Sequence, residues 1–199
     1  MLKTKLIQDD GTPARIAAAA IEVFAEKGYD GASVRDIARR AGLTEGAMYR
    51  HFDGKEALAR EIFQGNIERW SARLAMAATE AGPGFSAQLE AMVRFFCAAF
   101  DENRALFAFL LLNQHGPART IDPQRSNPFT VLERRVAAAM ARGEIAPGDP
   151  ALRTAAILGA VFQPALHVLH RRPDDRLSDH LPEIAAAAIG AAGPTSPSR

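Results

Sequence analysis

Apolar residues along this chain recur every three to four positions, and no stretch alternates apolar with polar as a half-buried strand does. The pattern predicts helices from end to end. Pro13 opens the first, where its missing N–H costs nothing; Ile16, Ala20, Ile21 and Phe24 share one face, and Gly28 stops it. A second helix starts at Ser33, whose hydroxyl stands at capping-box spacing from Asp36. Its inward face carries Val34, Ile37, Ala38 and Ala41, and Gly42 ends it. A third, very short helix runs from Thr44 to about His51. Asp53, with Glu56 as its capping partner, begins a fourth. Leu58, Ile62, Trp70 and Leu74 carry that helix, roughly 40 Å long, to the break at Gly82-Pro83-Gly84.

Leu89, Val93, Phe96 and Phe100 mark a fifth helix, and Leu106 to Leu112 a sixth. A loop from His115 to Pro128 precedes a seventh, carried by Phe129, Leu132, Val136 and Met140 and stopped near Gly143. Asp149 as N-cap and Pro150 as first residue introduce an eighth, which Pro164 is expected to kink. A ninth runs from about Pro182 to Ala192. The fold class is therefore all-α, with about nine helices. Residues 1–57 form a compact three-helix module and residues 58–193 a larger helical domain, joined by one continuous helix. The first ten residues are expected to fray, and residues 194–199 to be a disordered tail.

Composition narrows the function classes. Of 199 residues, 40 are alanine, the best helix former, so much of the 48% hydrophobic content is small rather than bulky. Cys97 is the single cysteine, so no intramolecular disulfide forms. There is no charge-free apolar run of membrane-spanning length and no targeting segment, which predicts a cytoplasmic protein with no membrane partner. No paired carboxylates, nucleophile with a base or phosphate loop appear, so an all-helical enzyme finds no support and no cofactor is expected. His167 and His170 stand three apart but lack a further ligand, so no metal site is read. The net charge of +1 excludes a basic carpet, so any nucleic-acid contact must be local and geometric.

One stretch supplies that geometry. In Ser33 to Lys55, two helices of about eight residues meet at a tight Ala41-Gly42-Leu43 turn, which is helix-turn-helix spacing. Gly42 supplies the turn's positive φ, Ala38 lets the helices cross closely, and Leu43 and Met48 plug the joint. On spacing alone a plain helical hairpin fits equally well. Gly46 and Ala47 shift the balance, because two such small residues suit a backbone that must approach a base pair or phosphate. Tyr49, His51 and Lys55 line up beyond them as a phosphate-clamping row. Residues 33 to 60 hold six arginines and lysines against four carboxylates, a modest +2.

The run Ala20-x3-Phe24-x3-Gly28-Tyr29-x3-Ser33-Val34-x2-Ile37-Ala38-x2-Ala41-Gly42-x3-Gly46-x2-Tyr49-x-His51-Phe52-x2-Lys55-x2-Leu58 resembles the DNA-binding domain of the TetR family of transcriptional regulators. The likeness covers about residues 14 to 60. It implies that Thr44, Glu45, Gly46 and Ala47 face bases, that Tyr49, His51 and Lys55 meet phosphates, and that Ser33 is a cap that also touches phosphate. Arg35 matches a position reaching a base edge or phosphate, and Phe52 packs the module. Plain alternatives remain for two of these. Arg35 can be a solvated helix residue, and Glu45 can either accept from cytosine N4 or stabilise the positive end of the third helix.

The resemblance further implies a homodimer on a double-stranded operator, most simply a repressor. Helices eight and nine are the candidate interface, with Ile157, Leu158, Val161, Ile184, Ala188 and Ile189 spaced along them. Phe95, Phe96, Phe100, Phe107 and Phe109 crowd into fifteen residues. Core packing explains any one of them. As a set they suggest an apolar effector pocket of Trp70, Phe96, Phe100, Phe107, Phe129, Gln163 and His167. The alternative is a regulator with no small-molecule ligand, controlled by a protein partner or acting constitutively.

Overall fold

Residues 11–112 and 127–193 are described by a computed structural model. The expectations for the first ten residues, most of the His115–Pro128 loop and the 194–199 tail lie outside them. Among the described residues there are nine α-helices and no strand. They fall into two units: 11–67 with 105–112, and 68–104 with 127–193. The first unit thus runs past residue 57, the boundary expected from sequence, and takes in a segment from much later in the chain.

In the first unit, α1 (Thr12–Gly31) opens with Pro13 in its first turn. Gly28, at φ 72°, interrupts it, and one more turn follows to Gly31, so the expected stop is a kink. α2 (Val34–Arg40) and α3 (Glu45–Tyr49) follow. α4 (Lys55–Glu80) starts two residues later than expected, because Gly54 at φ 101° cannot continue a helix. Ile16, Ile37, Met48 and Leu58 are fully buried. α6 (Arg104–Leu112) belongs largely to this unit: Phe109 stacks on Phe24 at 5.2 Å and meets Phe63 edge-on at 6.4 Å.

The second unit contains the later half of α4, α5 (Phe85–Glu102), α7 (Pro128–Ala141), α8 (Pro150–Arg171) and α9 (Leu181–Ala191). α9 packs on α5 and α8, and α7 packs on α8. Asn127 and Thr130 form a capping box on α7, and Asp149 caps α8 through Ala151 and Leu152 N–H. α8 runs through Pro164. A 3-10 turn at Leu177–His180, absent from the sequence reading, leads into α9. It is held from outside its own segment, because the Asp101 carboxylate accepts from Leu177 N–H at 2.7 Å and Ser178 N–H at 3.2 Å. Arg104 donates to the carbonyls of Pro173 and Asp175. Arg153 donates to Ala146 O at 2.8 Å and Ala192 O at 2.7 Å, tying the turn before α8 to the end of α9.

Ile157, Leu158, Val161, Ile184 and Ala188, expected at a dimer interface, are buried within the single chain. Helical periodicity selects the apolar face, and that face serves the core. The outward faces of α8 and α9 carry Ala155, Ala156, Gln163, Ala186, Ala187 and Gly190 instead.

Candidate nucleic-acid interface

The α2–turn–α3 segment is set by local hydrogen bonds. Ser33 Oγ accepts from Asp36 N–H at 3.1 Å and donates to Asp36 Oδ2 at 2.7 Å, while Ser33 N–H donates back to the same carboxylate. A cap of this kind contributes about 1 kcal/mol. The Asp36 carboxylate also meets Lys27 Nζ at 2.7 Å. Lys27 first, then Ser33, holds its pKa down at about 2. Gly42 makes the turn at φ 68°, with Leu43 N–H donating to Ala38 O at 2.9 Å. Arg15 of α1 closes the last turn of α2 by donating to Ala41 O at 2.8 Å.

Thr44 caps α3, its hydroxyl accepting from Ala47 N–H at 3.1 Å. Met48 is fully buried and pins the helix to the module, a burial worth about 1.5–3 kcal/mol. The opposite face is open: Thr44, Glu45, Gly46, Tyr49 and Arg50 are exposed, Tyr49 at 54%. A β-carbon built on Gly46 meets nothing within 4 Å. Ser33 and Arg35 are also exposed, Ala47 and His51 half-buried. The structure therefore gathers Ser33, Arg35 and the Thr44–His51 residues on α2, α3 and their flanks, anchored from behind by Ile37 and Met48.

The cations divide by partner. Arg40 bridges Glu22 at 2.8 Å and Glu26 at 2.6 Å, which lowers the Glu26 pKa. Arg39 pairs with Asp36 at 3.2 Å. Among the described residues, Arg35 and Arg50 form no ion pair, so their charge is directed at solvent. Lys55 is engaged. Its Nζ donates to Tyr29 O and Ala32 O, each at 3.0 Å, lies 3.5 Å from Asp30 O, and sits 4.6 Å over the Tyr29 ring. Sequence reasoning missed this clamp, as it missed Lys27 and Arg15. Arg15 and Lys55 pair with backbone carbonyls more than twenty residues away, and Lys27 with a carboxylate on the next helix, none of which local spacing announces.

The residues expected to line an effector pocket are divided. Trp70 on α4 meets Phe96 at 6.2 Å, and both lie in the second unit with Phe100 on α5 and Phe129 on α7. Phe162, not singled out from sequence, completes this cluster at 5.4 Å from Phe96. Phe107 belongs to the first unit. Gln163 and His167 are exposed on α8.

Residues 16–62 match the family described as bacterial regulatory proteins, tetR family. The repressor KstR2 of Rhodococcus jostii is 35% identical over 89 residues, 45% of this chain and 43% of that protein. The chain thus spans less than half the length of that relative. The regulator UidR of Escherichia coli is 29% identical over 150 residues, 74% of this chain and 76% of its own. Among solved structures, the fatty acid degradation regulator FadR of Bacillus halodurans has a TM-score of 0.74 at 18% identity, covering 92% of this chain and 97% of its own. FadR of Bacillus subtilis, solved in complex with stearoyl-CoA, has a TM-score of 0.72 at 20% identity, covering 89% of this chain and 97% of its own. At these identities the two structures establish the fold.

Proposed function

The chain belongs to the tetR family of bacterial regulatory proteins, and from that premise we propose a repressor that binds a palindromic operator as a dimer and is released by a small apolar ligand. It is a transcriptional regulator of TetR type. One observation carries the DNA-binding reading: a capped α3 anchored by Met48, with Thr44, Glu45, Gly46 and Tyr49 exposed on one open face. A short helix held rigidly with small residues outward suits entry into a major groove. Ser33, Arg35, Ala47, His51 and Lys55 are the proposed flanking contacts. For Lys55, a phosphate contact requires a donor beyond those given to Tyr29 and Ala32, and the N–H directed at the 3.5 Å carbonyl of Asp30 is the one to redirect.

The small outward residues Ala155, Ala156, Ala186, Ala187 and Gly190, with charge only at the ends of the two helices (Glu183 on α9, Arg171 on α8), support a dimer built through α8 and α9. By length and mean hydropathy (1.3) α8 resembles a membrane span, yet only 28% of that window is buried in the chain. Such a face is covered in a subunit contact at far lower cost than in water. The aromatic cluster of Trp70, Phe95, Phe96 and Phe162 supports an apolar ligand, and the stearoyl-CoA of the Bacillus subtilis neighbour makes long-chain acyl groups the first class to test. α4 contributes residues to both units, which makes it the proposed path from ligand to DNA module. Regulation then requires unequal ligand affinity for the two operator-binding states.

A gel shift on DNA flanking the protein's own gene, repeated with acyl-CoA and apolar compound panels, tests this function. A shifted band released by one panel member is expected. Absence of any sequence-selective band overturns the DNA-binding reading, and a band that no panel compound alters favours a regulator without a small-molecule ligand.

A further inference from the structure

A knob and a groove lie at opposite ends of one uncharged helix face. Leu152, near the start of α8, is 71% exposed, more than any other large apolar side chain among the described residues. Ala155, Ala156, Gly159, Gln163 and His167 follow it at three- and four-residue steps on the same face. No Asp, Glu, Lys or Arg occurs from Thr154 to His170. The opposite face, with Thr154, Ile157, Val161, Ala165 and Val168, is buried within the chain. Beside His167 a groove of about 280 Å³ opens between α8, the 3-10 turn and α9. Val168, Leu177, Ile184 and Ala187 line it, together with the charged Arg172 and Glu183. His180 stands on its rim, 3.6 Å from Asp175 and 3.8 Å from Glu183.

The spacing identifies the occupant. Leu152 and His167 each stand seven residues from the central Gly159–Ala160 pair. A β-carbon at Gly159 meets nothing within 4 Å, so a second helix can approach closely there. If two copies of α8 cross antiparallel at this pair, the 15-residue separation, roughly 22 Å, brings the knob of each copy to the groove of the other. A parallel crossing sets knob against knob and groove against groove. A knob, a small centre and a groove at equal spacing are self-complementary under a two-fold axis, the requirement for an isologous contact.

We propose that α8 crosses its own symmetry mate antiparallel at Gly159–Ala160, with Leu152 of each copy seated in the α8–α9 groove of the other. This register rests on the dimer reading above and goes further, because it names the crossing point, the direction and the plug.

Site-directed cross-linking of the full chain tests it, with sedimentation of the same samples. Cys97 is fully buried, so the native thiol stays silent. The Leu152→Cys, His167→Cys double variant is expected to form a covalent dimer with a short bis-thiol cross-linker, and Gly159→Cys to do so alone. Leu152→Cys alone is expected to stay uncross-linked. Leu152→Glu should fold normally, since its site is solvent-exposed in the single chain, and should raise the dimer dissociation constant roughly tenfold or more. A protein that sediments as a dimer but cross-links through Leu152→Cys alone, or through neither the double variant nor Gly159→Cys, overturns the register while keeping the dimer. An unchanged dissociation constant for Leu152→Glu overturns the plug. A wild-type monomer at every concentration overturns the dimer reading itself.

Discussion

Replacing Gly46 with alanine is expected to move folding and DNA binding in opposite directions. Gly46 is the second residue of α3, does not have a positive φ, and leaves its β-carbon position free of any atom within 4 Å. Alanine therefore fits the free protein without a clash and removes the backbone entropy that glycine loses on folding. The gain is about 0.5–1 kcal/mol, or about 1–4 °C in melting temperature for a chain of this size. In the complex the same methyl occupies the space through which the α3 backbone approaches base edges. Loss of that approach should weaken operator binding by about tenfold or more, ~1.4 kcal/mol. The salt dependence should not change, because no phosphate contact is removed. Far-UV circular dichroism melts give the first quantity, and fluorescence anisotropy with labelled operator across a salt series gives the second. Unimpaired operator binding by a stable Gly46→Ala protein refutes the close-approach argument. A lowered melting temperature refutes the reading that the site is empty.

Lys55→Met removes two 3.0 Å bonds to the carbonyls of Tyr29 and Ala32 and should cost about 1–3 kcal/mol of stability in denaturant melts; an unchanged midpoint refutes the clamp. In the same variant the salt slope of DNA binding should fall by about one unit, and an unaltered slope removes Lys55 from the phosphate contacts. Asp36, held at about 2 against an ordinary 3.8, should add stability that is complete above about pH 4 and fades as pH falls toward about 2. Wild type should therefore lose melting temperature more steeply than Asp36→Asn over that window, and parallel curves refute the Lys27–Asp36–Ser33 account. Thr154 is fully buried with an unpartnered hydroxyl, so Thr154→Val should raise stability by roughly 1 kcal/mol. A loss of that size instead points to a hydrogen bond on that hydroxyl.

Local chemistry was legible in the sequence where the partners are neighbours. Ser33 and Asp36 make their capping box within one turn, Asp149 caps α8 just ahead of Pro150, and Gly28, Gly42, Gly82 and Gly143 all have positive φ near predicted helix ends. These features depend on a few adjacent residues and so appear in the order of the letters. The long-range partners were not legible. Nothing near Lys55 announces the carbonyls of Tyr29 and Ala32, and nothing in α6 announces that Phe109 stacks on Phe24. The 3-10 turn before α9 depends on Asp101, more than seventy residues away along the chain. Periodicity found the apolar faces of α8 and α9 but assigned them to a partner, although a core has first claim on such a face. The small residues on the other side were in plain view, and their meaning required knowing which side was already covered. At the candidate DNA interface the exposed row on α3 was legible from the short helix and its small residues. Which basic residues are already committed, Arg39, Arg40 and Lys55, was not.

The central claim is that the exposed face of α2 and α3 reads DNA. Fluorescence anisotropy, with labelled DNA from the region flanking the gene and a scrambled duplex of equal length, tests it most directly when wild type is compared with Tyr49→Ala. Wild type is expected to prefer the flanking DNA by roughly a thousandfold or more, the lower end for specific recognition. Tyr49→Ala, exposed and outside the core, is expected to fold as wild type does and bind markedly more weakly. Equal wild-type affinity for the two duplexes, or undiminished binding by Tyr49→Ala together with Gly46→Ala, contradicts the account.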